Sequence, residues 1–142
     1  MMMSAQGADH TAGNLPFWDC KDKTTDEIVA AIMCAQVVAA AADSLGMCIF
    51  GRSVTDTNLE FIADALNDAH DTNLSASFLS ELGKETLELE HAFNQAAGFN
   101  TGDNELPQFF YDEPVEPTGK VARFHINDVE ASTRHWWTHE AK

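Results

Sequence analysis

Thr24-Thr25-Asp26-Glu27-Ile28-Val29-Ala30-Ala31-Ile32-Met33-Cys34-Ala35-Gln36-Val37-Val38-Ala39-Ala40-Ala41-Ala42-Asp43-Ser44-Leu45-Gly46 is the stretch that decides the fold class. Thr24 and Glu27 have the S/T-x-x-E spacing in which hydroxyl and carboxylate satisfy each other's backbone amides, so a helix starts there. The pattern runs from Asp26 to about Leu45. Gly46 then stands where a left-handed C-terminal cap needs a residue without a Cβ. Between these ends there is scarcely a polar face, and a helix apolar all round is a buried helix. Its alanines let neighbours approach closely on several sides. A chain of 142 residues offers few elements to do so, which points to partners outside it.

Working outward, Thr57 and Glu60 repeat the capping-box spacing. Leu59, Ile62, Ala63 and Leu66 follow at helical intervals, giving a second helix from about Asn58 to Asp68. Ser75 is the expected N-cap of a third, whose stripe is Phe78, Leu79, Leu82, Thr86, Leu89, Phe93 and Ala96, ending at Gly98. Gly83 inside it costs roughly 1 kcal/mol against alanine, so something must pass close to it. From Phe99 to Gly119 the chain turns to Asn, Gly, Asp and Pro, with an aromatic knot at Phe109-Phe110-Tyr111 expected to pack on the helices. A last helix is expected from Asn127 or Asp128 to His135, followed by Trp136-Trp137 and a polar end. Residues 1–23 read as an N-terminal loop segment and 24–142 as a helical domain. The class is all-α, multihelical, with long irregular loops and no substantial sheet.

Hydrophobic residues at 44% and charged residues at 22% are ordinary for a globular protein, and the length is that of one domain. Eight Lys and Arg face 23 Asp and Glu, a formal charge of −15. That disfavours nucleic acid and anionic membrane surfaces as partners. It fits a basic protein partner, a cationic surface elsewhere in a larger assembly, or an acidic proteome. Cys20, Cys34 and Cys48 match neither a disulfide framework nor paired zinc ligands, so a reducing, cytoplasmic setting is expected. The first residues lack a secretion signal. The apolar run 28–42 is short for a membrane span and contains Gln36, so no membrane association is expected. Walker, G-x-G-x-x-G and G-x-S-x-G motifs are absent.

The residues with chemistry each have an ordinary reading beside the functional one. Asp43 at a helix end is a solvated or capping group, or a ligand for something held at the unpaired carbonyls there. Cys48, between Met47 and Ile49-Phe50, is a small buried hydrophobe or a thiolate ligand; Cys20 and Cys34 read as core. Asp9-His10, in the glycine-bracketed segment from Gly7 to Gly13, is a surface loop pair or a proton relay. His70, His91, His125, His135 and His139 have no metal-ligand spacing.

Four linked matches go further. Asp43-Ser44-Leu45-Gly46-Met47-Cys48-Ile49 resembles the D-x-x-G-L-C-x signature of the tungsten-containing aldehyde ferredoxin oxidoreductase family. Gly7-Ala8-Asp9-His10 resembles its G-A-D-H loop. Leu87-Glu88-Leu89-Glu90-His91-Ala92-Phe93-Asn94 with Gly98-Phe99 is similar to L-E-R-A-F-N…G-F, and Asp103-Asn104-Glu105-Leu106-Pro107-Gln108-Phe109-Phe110 to D-D-x-L-P-x-R-F. The order and approximate spacing agree from residue 7 to about 137. The resemblance implies that Asp43, in a turn with Gly46 and Met47, contacts a tungsten or molybdenum bis-pterin. It implies that Cys48 gives one thiolate to a [4Fe–4S] cluster, and that His10 lies near the metal and moves a proton.

The departures matter equally. Met47 replaces leucine, and His91 stands where arginine is common, removing a fixed fork of donors. The pattern starts inside the family's, without the N-terminal pterin-cradling domain and the CxxCxxxC triplet. Cys48 supplies one of four cluster thiolates, and Cys20 and Cys34 do not match the others. The expected function is therefore the C-terminal portion, or a truncated homologue, of an enzyme that oxidises an aldehyde to a carboxylic acid and passes electrons to ferredoxin. The chain alone is expected to bind no cofactor and to be inactive. Its partners would be the missing N-terminal portion or a separate subunit. The alternative is a non-catalytic acidic helical module, or a split subunit, that docks to a partner carrying the missing half.

Overall fold

A computed structural model describes residues 2–5, 7, 11–51 and 56–138, the side chains of His135, Trp137 and Thr138 excepted. Five α-helices follow in order: α1 Thr25–Ser44, α2 Leu59–His70, α3 Ser77–Ala96, α4 Phe109–Asp112 and α5 Ile126–Thr138. Two 3₁₀ turns, Ile49–Gly51 and Thr101–Asn104, sit in the connections. Among the described residues there is no strand, only an isolated bridge between Val115 and Lys120. The all-α class read from the sequence is the class observed.

The ends of α1 follow its sequence closely. The Thr24 amide donates to Glu27 Oε2 at 2.9 Å and the Glu27 amide to Thr24 Oγ1 at 3.3 Å, the two halves of the capping box. At the other end Gly46 takes φ +67°. Its amide donates to Asp43 O at 3.0 Å and the Met47 amide to Ala42 O at 2.8 Å. These are the two bonds of a Schellman cap, and they consume carbonyls the helix would otherwise leave bare.

The core is an antiparallel pairing of α1 with α3. Met33 shares a cluster with Leu87, Val37 faces Gly83, and Ala41 shares a second cluster with Leu79. At the crossing a Cβ built on Gly83 would lie 2.1 Å from the Val37 carbonyl oxygen, so the close approach expected at Gly83 is present. The first cluster is completed by Ile126 and Val129 of α5, with Trp136 against it; the second by Ile62 of α2. α1 reaches 20 residues, so by length and composition it would pass for a membrane span, contrary to the shorter apolar run that argued otherwise. A core helix passes the same test, and Val29 and Met33, each 1% exposed, are core.

Elsewhere the sequence misled. α2 starts after Asn58 with no side-chain cap bond, so the Thr57–Glu60 box does not form. α3 starts after Ala76, and the Ser75 hydroxyl pairs with that of Ser77 at 2.7 Å instead of capping. α5 starts one residue earlier than expected and runs past Trp136, because the Asp128 carboxylate accepts the His125 amide at 3.0 Å and fixes the first turn. The aromatic knot forms the short α4. Tyr111 stacks on His125 at 4.2 Å, so the knot anchors the start of α5 and not the α1–α3 pair. Cys34 was expected in the core and is exposed: α3 and α5 leave one side of α1 open, where Cys34 sits with exposed Ala30. Cys20 is exposed too, in a segment whose backbone carbonyls at Cys20 and Lys23 accept from Arg123.

Candidate functional site

Helical spacing places Gln36, Ala40 and Asp43 on one face of α1, at i, i+4 and i+7. On α3 the same logic aligns Thr86, Leu87 and Glu90. These two faces, with Ser4 and Ala12 of the N-terminal segment, enclose a cavity of about 210 Å³ at the C-terminal end of α1. The N-terminal segment is held over α1 because Gly13 has no side chain. A Cβ there would lie 3.0 Å from Ile32 Cγ2 and 3.4 Å from Gln36 Cγ. Asn94 Nδ2 of α3 holds the same segment by donating to Ala5 O at 3.0 Å. Of the N-terminal segment, Ser4 and Ala12 line this cleft, while Asp9 and His10 lie outside the described residues.

The lining is one-sided in its chemistry. Asp43 and Glu90 bring carboxylates, Gln36 an amide, and Ser44 and Thr86 hydroxyls. Ser44 Oγ has Ala40 O at 2.7 Å to donate to and Thr86 Oγ1 has Leu82 O at 2.8 Å, and the two hydroxyl oxygens lie 3.2 Å apart, tying α1 to α3. No Lys, Arg or His is among the described lining residues. Asp43 also sits in the last turn of α1, where the helix dipole is negative and no basic side chain offsets it. Glu90 is held above its ordinary range, first by burial and second by the charge of Asp43. Two carboxylates, that of exposed Asp43 and that of half-buried Glu90, thus stand on facing helices at one end of the cleft.

From the sequence neither Gln36, noted as the polar residue of an apolar run, nor Glu90, which stands within the L-E-R-A-F-N match, was given a site role. The available signal was a lone amide in an apolar helix, seven residues before Asp43. Gln36 is 2% exposed, and its Nε2 donates to Met33 Sδ at 3.7 Å. It also lines a second cavity of about 590 Å³ between α3, α5 and the N-terminal segment, together with His91 and Asn94. Burial lowers the pKa of His91 there.

The other expected residues lie around the turn and not all in the cleft. Gly46 makes the turn. Met47 points to the opposite side, packed against the Ala41–Ile62–Leu79 cluster, where it lines an apolar cavity of about 50 Å³. Cys48 is a free, exposed thiol just before the Ile49–Gly51 turn, beside Phe50 at 93% exposure, so the buried-hydrophobe reading of this cysteine does not hold.

The residues fit the pterin half of the implied cofactor. A cleft of carboxylate and amide acceptors without a cation suits a ring edge rich in N–H donors. For a cluster they supply one thiol. Among the described residues no group of three or more His, Cys, Asp or Glu is placed to hold a metal ion.

An all-helical domain with an acceptor-lined cleft at a capped helix end is the class that fold and site define. A family model described as aldehyde ferredoxin oxidoreductase, domains 2 and 3, matches residues 1–139. The chain belongs to the aldehyde ferredoxin oxidoreductase family, of which it matches a C-terminal portion. Comparison with curated proteins and with solved structures gives no match.

Proposed function

We propose that this chain is the cofactor-facing helical part of an aldehyde oxidoreductase, working with a further portion that carries the pterin cradle and the remaining cluster thiolates. The observation that carries this reading is the Asp43 turn: a Schellman-capped helix end with its carboxylate on a cleft of acceptors and an exposed thiol beyond it. When bound, the tungsten or molybdenum bis-pterin would supply the two-electron oxidation of aldehyde to carboxylic acid, and a [4Fe–4S] cluster, to which Cys48 would give one thiolate and the further portion the rest, would supply the electron route to ferredoxin.

The chain's own residues have simpler work. Asp43 accepts N–H groups of a ring and fixes its orientation. Gly46 supplies the positive φ that turns the chain back at the helix end. Met47 seals the turn against the second core cluster and keeps water from its underside. Cys48 offers one thiolate, and His10 holds or moves a proton at an imidazole nitrogen near the reacting carbon. Aldehyde-dependent reduction of a viologen dye tests this reading. The purified chain is expected to give none, and robust turnover after metal reconstitution would contradict it.

A second reading, a non-catalytic acidic module or split subunit, is favoured by a separate observation. Leu89 and Phe93, one turn apart on α3, are 66% and 71% exposed, an apolar stripe that a partner would cover. A partner that copurifies and carries no CxxCxxxC triplet would support the non-catalytic module over the first reading; one that carries the triplet would support a split enzyme.

A further inference from the structure

We propose that the outward stripe of α3, formed by Leu89, Ala92, Phe93 and Ala96 with Glu81 and Glu85 leading into it, is a docking surface for a helix of another polypeptide whose apolar face is flanked by lysine or arginine. This rests on the second reading, in which the chain docks to a partner, and it names the surface and the chemistry of what binds there.

The stripe follows from the register of α3. Leu89, Ala92, Phe93 and Ala96 stand at i, i+3, i+4 and i+7, the spacing that keeps four side chains on one side of a helix for two turns. All four are exposed, Leu89 at 66% and Phe93 at 71%. The core takes a different side of the helix, that of buried Leu79, Gly83 and Leu87. α2 shares a cluster with Phe78 and Leu79, in the first turn of α3. One apolar stripe therefore serves the core and a second faces solvent. A single exposed leucine is ordinary, whereas a leucine and a phenylalanine in register with two alanines make the pattern of a helix–helix contact. The alanine pair forms a low row beside the large pair, so a ridge of an incoming helix has a groove to enter.

Charge selects the occupant. Glu81 and Glu85 are exposed and continue the row of Leu89 and Phe93 at intervals of four. Along α3 the glutamates at 81, 85, 88 and 90 face Lys84 as the one lysine, and the whole chain carries −15. A cationic helix gains from that field both on approach and in the closed contact, while a second copy brings a further −15 to the same place.

The test is fluorescence anisotropy of the full chain with two labelled helical peptides of roughly five turns. Both carry leucines at i, i+3, i+4 and i+7 spacing, flanked by lysines in one peptide and by glutamates in the other. The lysine peptide is expected to saturate and the glutamate peptide to bind at least about tenfold more weakly. Leu89→Ser with Phe93→Ser is expected to weaken the lysine peptide about tenfold or more. Because both side chains are exposed, circular dichroism and the urea midpoint of that variant should match wild type. Glu81→Gln with Glu85→Gln is expected to weaken binding about threefold or more and to flatten its fall with salt. Glu113→Gln with Glu116→Gln, the same change of charge beyond α4, should leave it within about twofold.

Equal losses from the two glutamate pairs assign binding to net charge at large and overturn the inference. So does a folded double-serine variant that binds as wild type does. A wild-type dimer in sedimentation that the two serines dissolve makes a second copy the occupant and overturns the choice of partner. A protein that copurifies and is retained by the double-serine variant overturns this inference while the second reading stands. A folded wild type that binds neither peptide overturns the inference, and if nothing copurifies with it the second reading falls too.

Discussion

Gly83 illustrates how one residue sets the architecture. Its missing Cβ lets the Val37 carbonyl approach to a distance no other residue allows, and the two core clusters lie on either side of that crossing. Gly83→Ala should cost about 1–3 kcal/mol by overpacking, although alanine is the better helix former by roughly 1 kcal/mol. A lowered melting temperature checks it; an unchanged or raised one would mean that the helices slide apart freely. Asp43 should behave in the opposite sense. Replacing it by asparagine removes a charge opposed to the helix dipole and should stabilise the chain by about 0.3–1 kcal/mol, read from urea midpoints. At this scale the sequence was half legible. Gly83 and Gly46 announced themselves because glycine in those places has few explanations. Gln36 and Glu90 did not, because a polar residue matters only once the facing helix is known, and Cys34 and Cys48 read as core because exposure depends on what the rest of the chain covers.

Among the elements, α1 was the most legible: its capping box, its glycine stop and its apolar length each stated a boundary, and the observed helix lies within one residue of the reading. α2 and α3 were placed correctly by periodicity, yet both start without the side-chain caps their sequences offered, since tertiary contacts fix those starts more strongly than one hydroxyl. The start of α5 was hidden because it depends on a residue twenty positions away. Glu105 accepts the Tyr111 hydroxyl, the Leu106 amide at 2.8 Å and the Ile126 amide at 3.1 Å, and meets His125 Nδ1 at 3.3 Å. The Tyr111 hydroxyl leads these causes in holding the Glu105 carboxylate down at about 2, against an ordinary 4.5. A depressed carboxylate gives stability that is present above the ordinary value and lost as pH falls through the depressed one. Stability should therefore decline between pH 4.5 and about 2, and Glu105→Gln should flatten that decline. Urea midpoints across this window decide it; parallel curves for the two proteins would remove Glu105 from the account.

Taken whole, the molecule carries marks of a part. Its charge of −15, the open side of α1 and the exposed Leu89, Phe93 and Phe50 are surfaces that a basic, partly apolar neighbour would cover. They agree with membership through a family model that spans domains 2 and 3. The family was legible because four short motifs recur in order; the cleft was not, since it is assembled from the N-terminal segment, α1 and α3 and exists only after they fold. The central claim is that the Asp43 turn is the end of a helix built to hold a pterin. Pterin content of this chain assembled with a portion that carries the pterin cradle tests it most directly. The assembly with wild type should retain pterin and the one with Asp43→Asn at least tenfold less, whereas equal content in the two would contradict the claim.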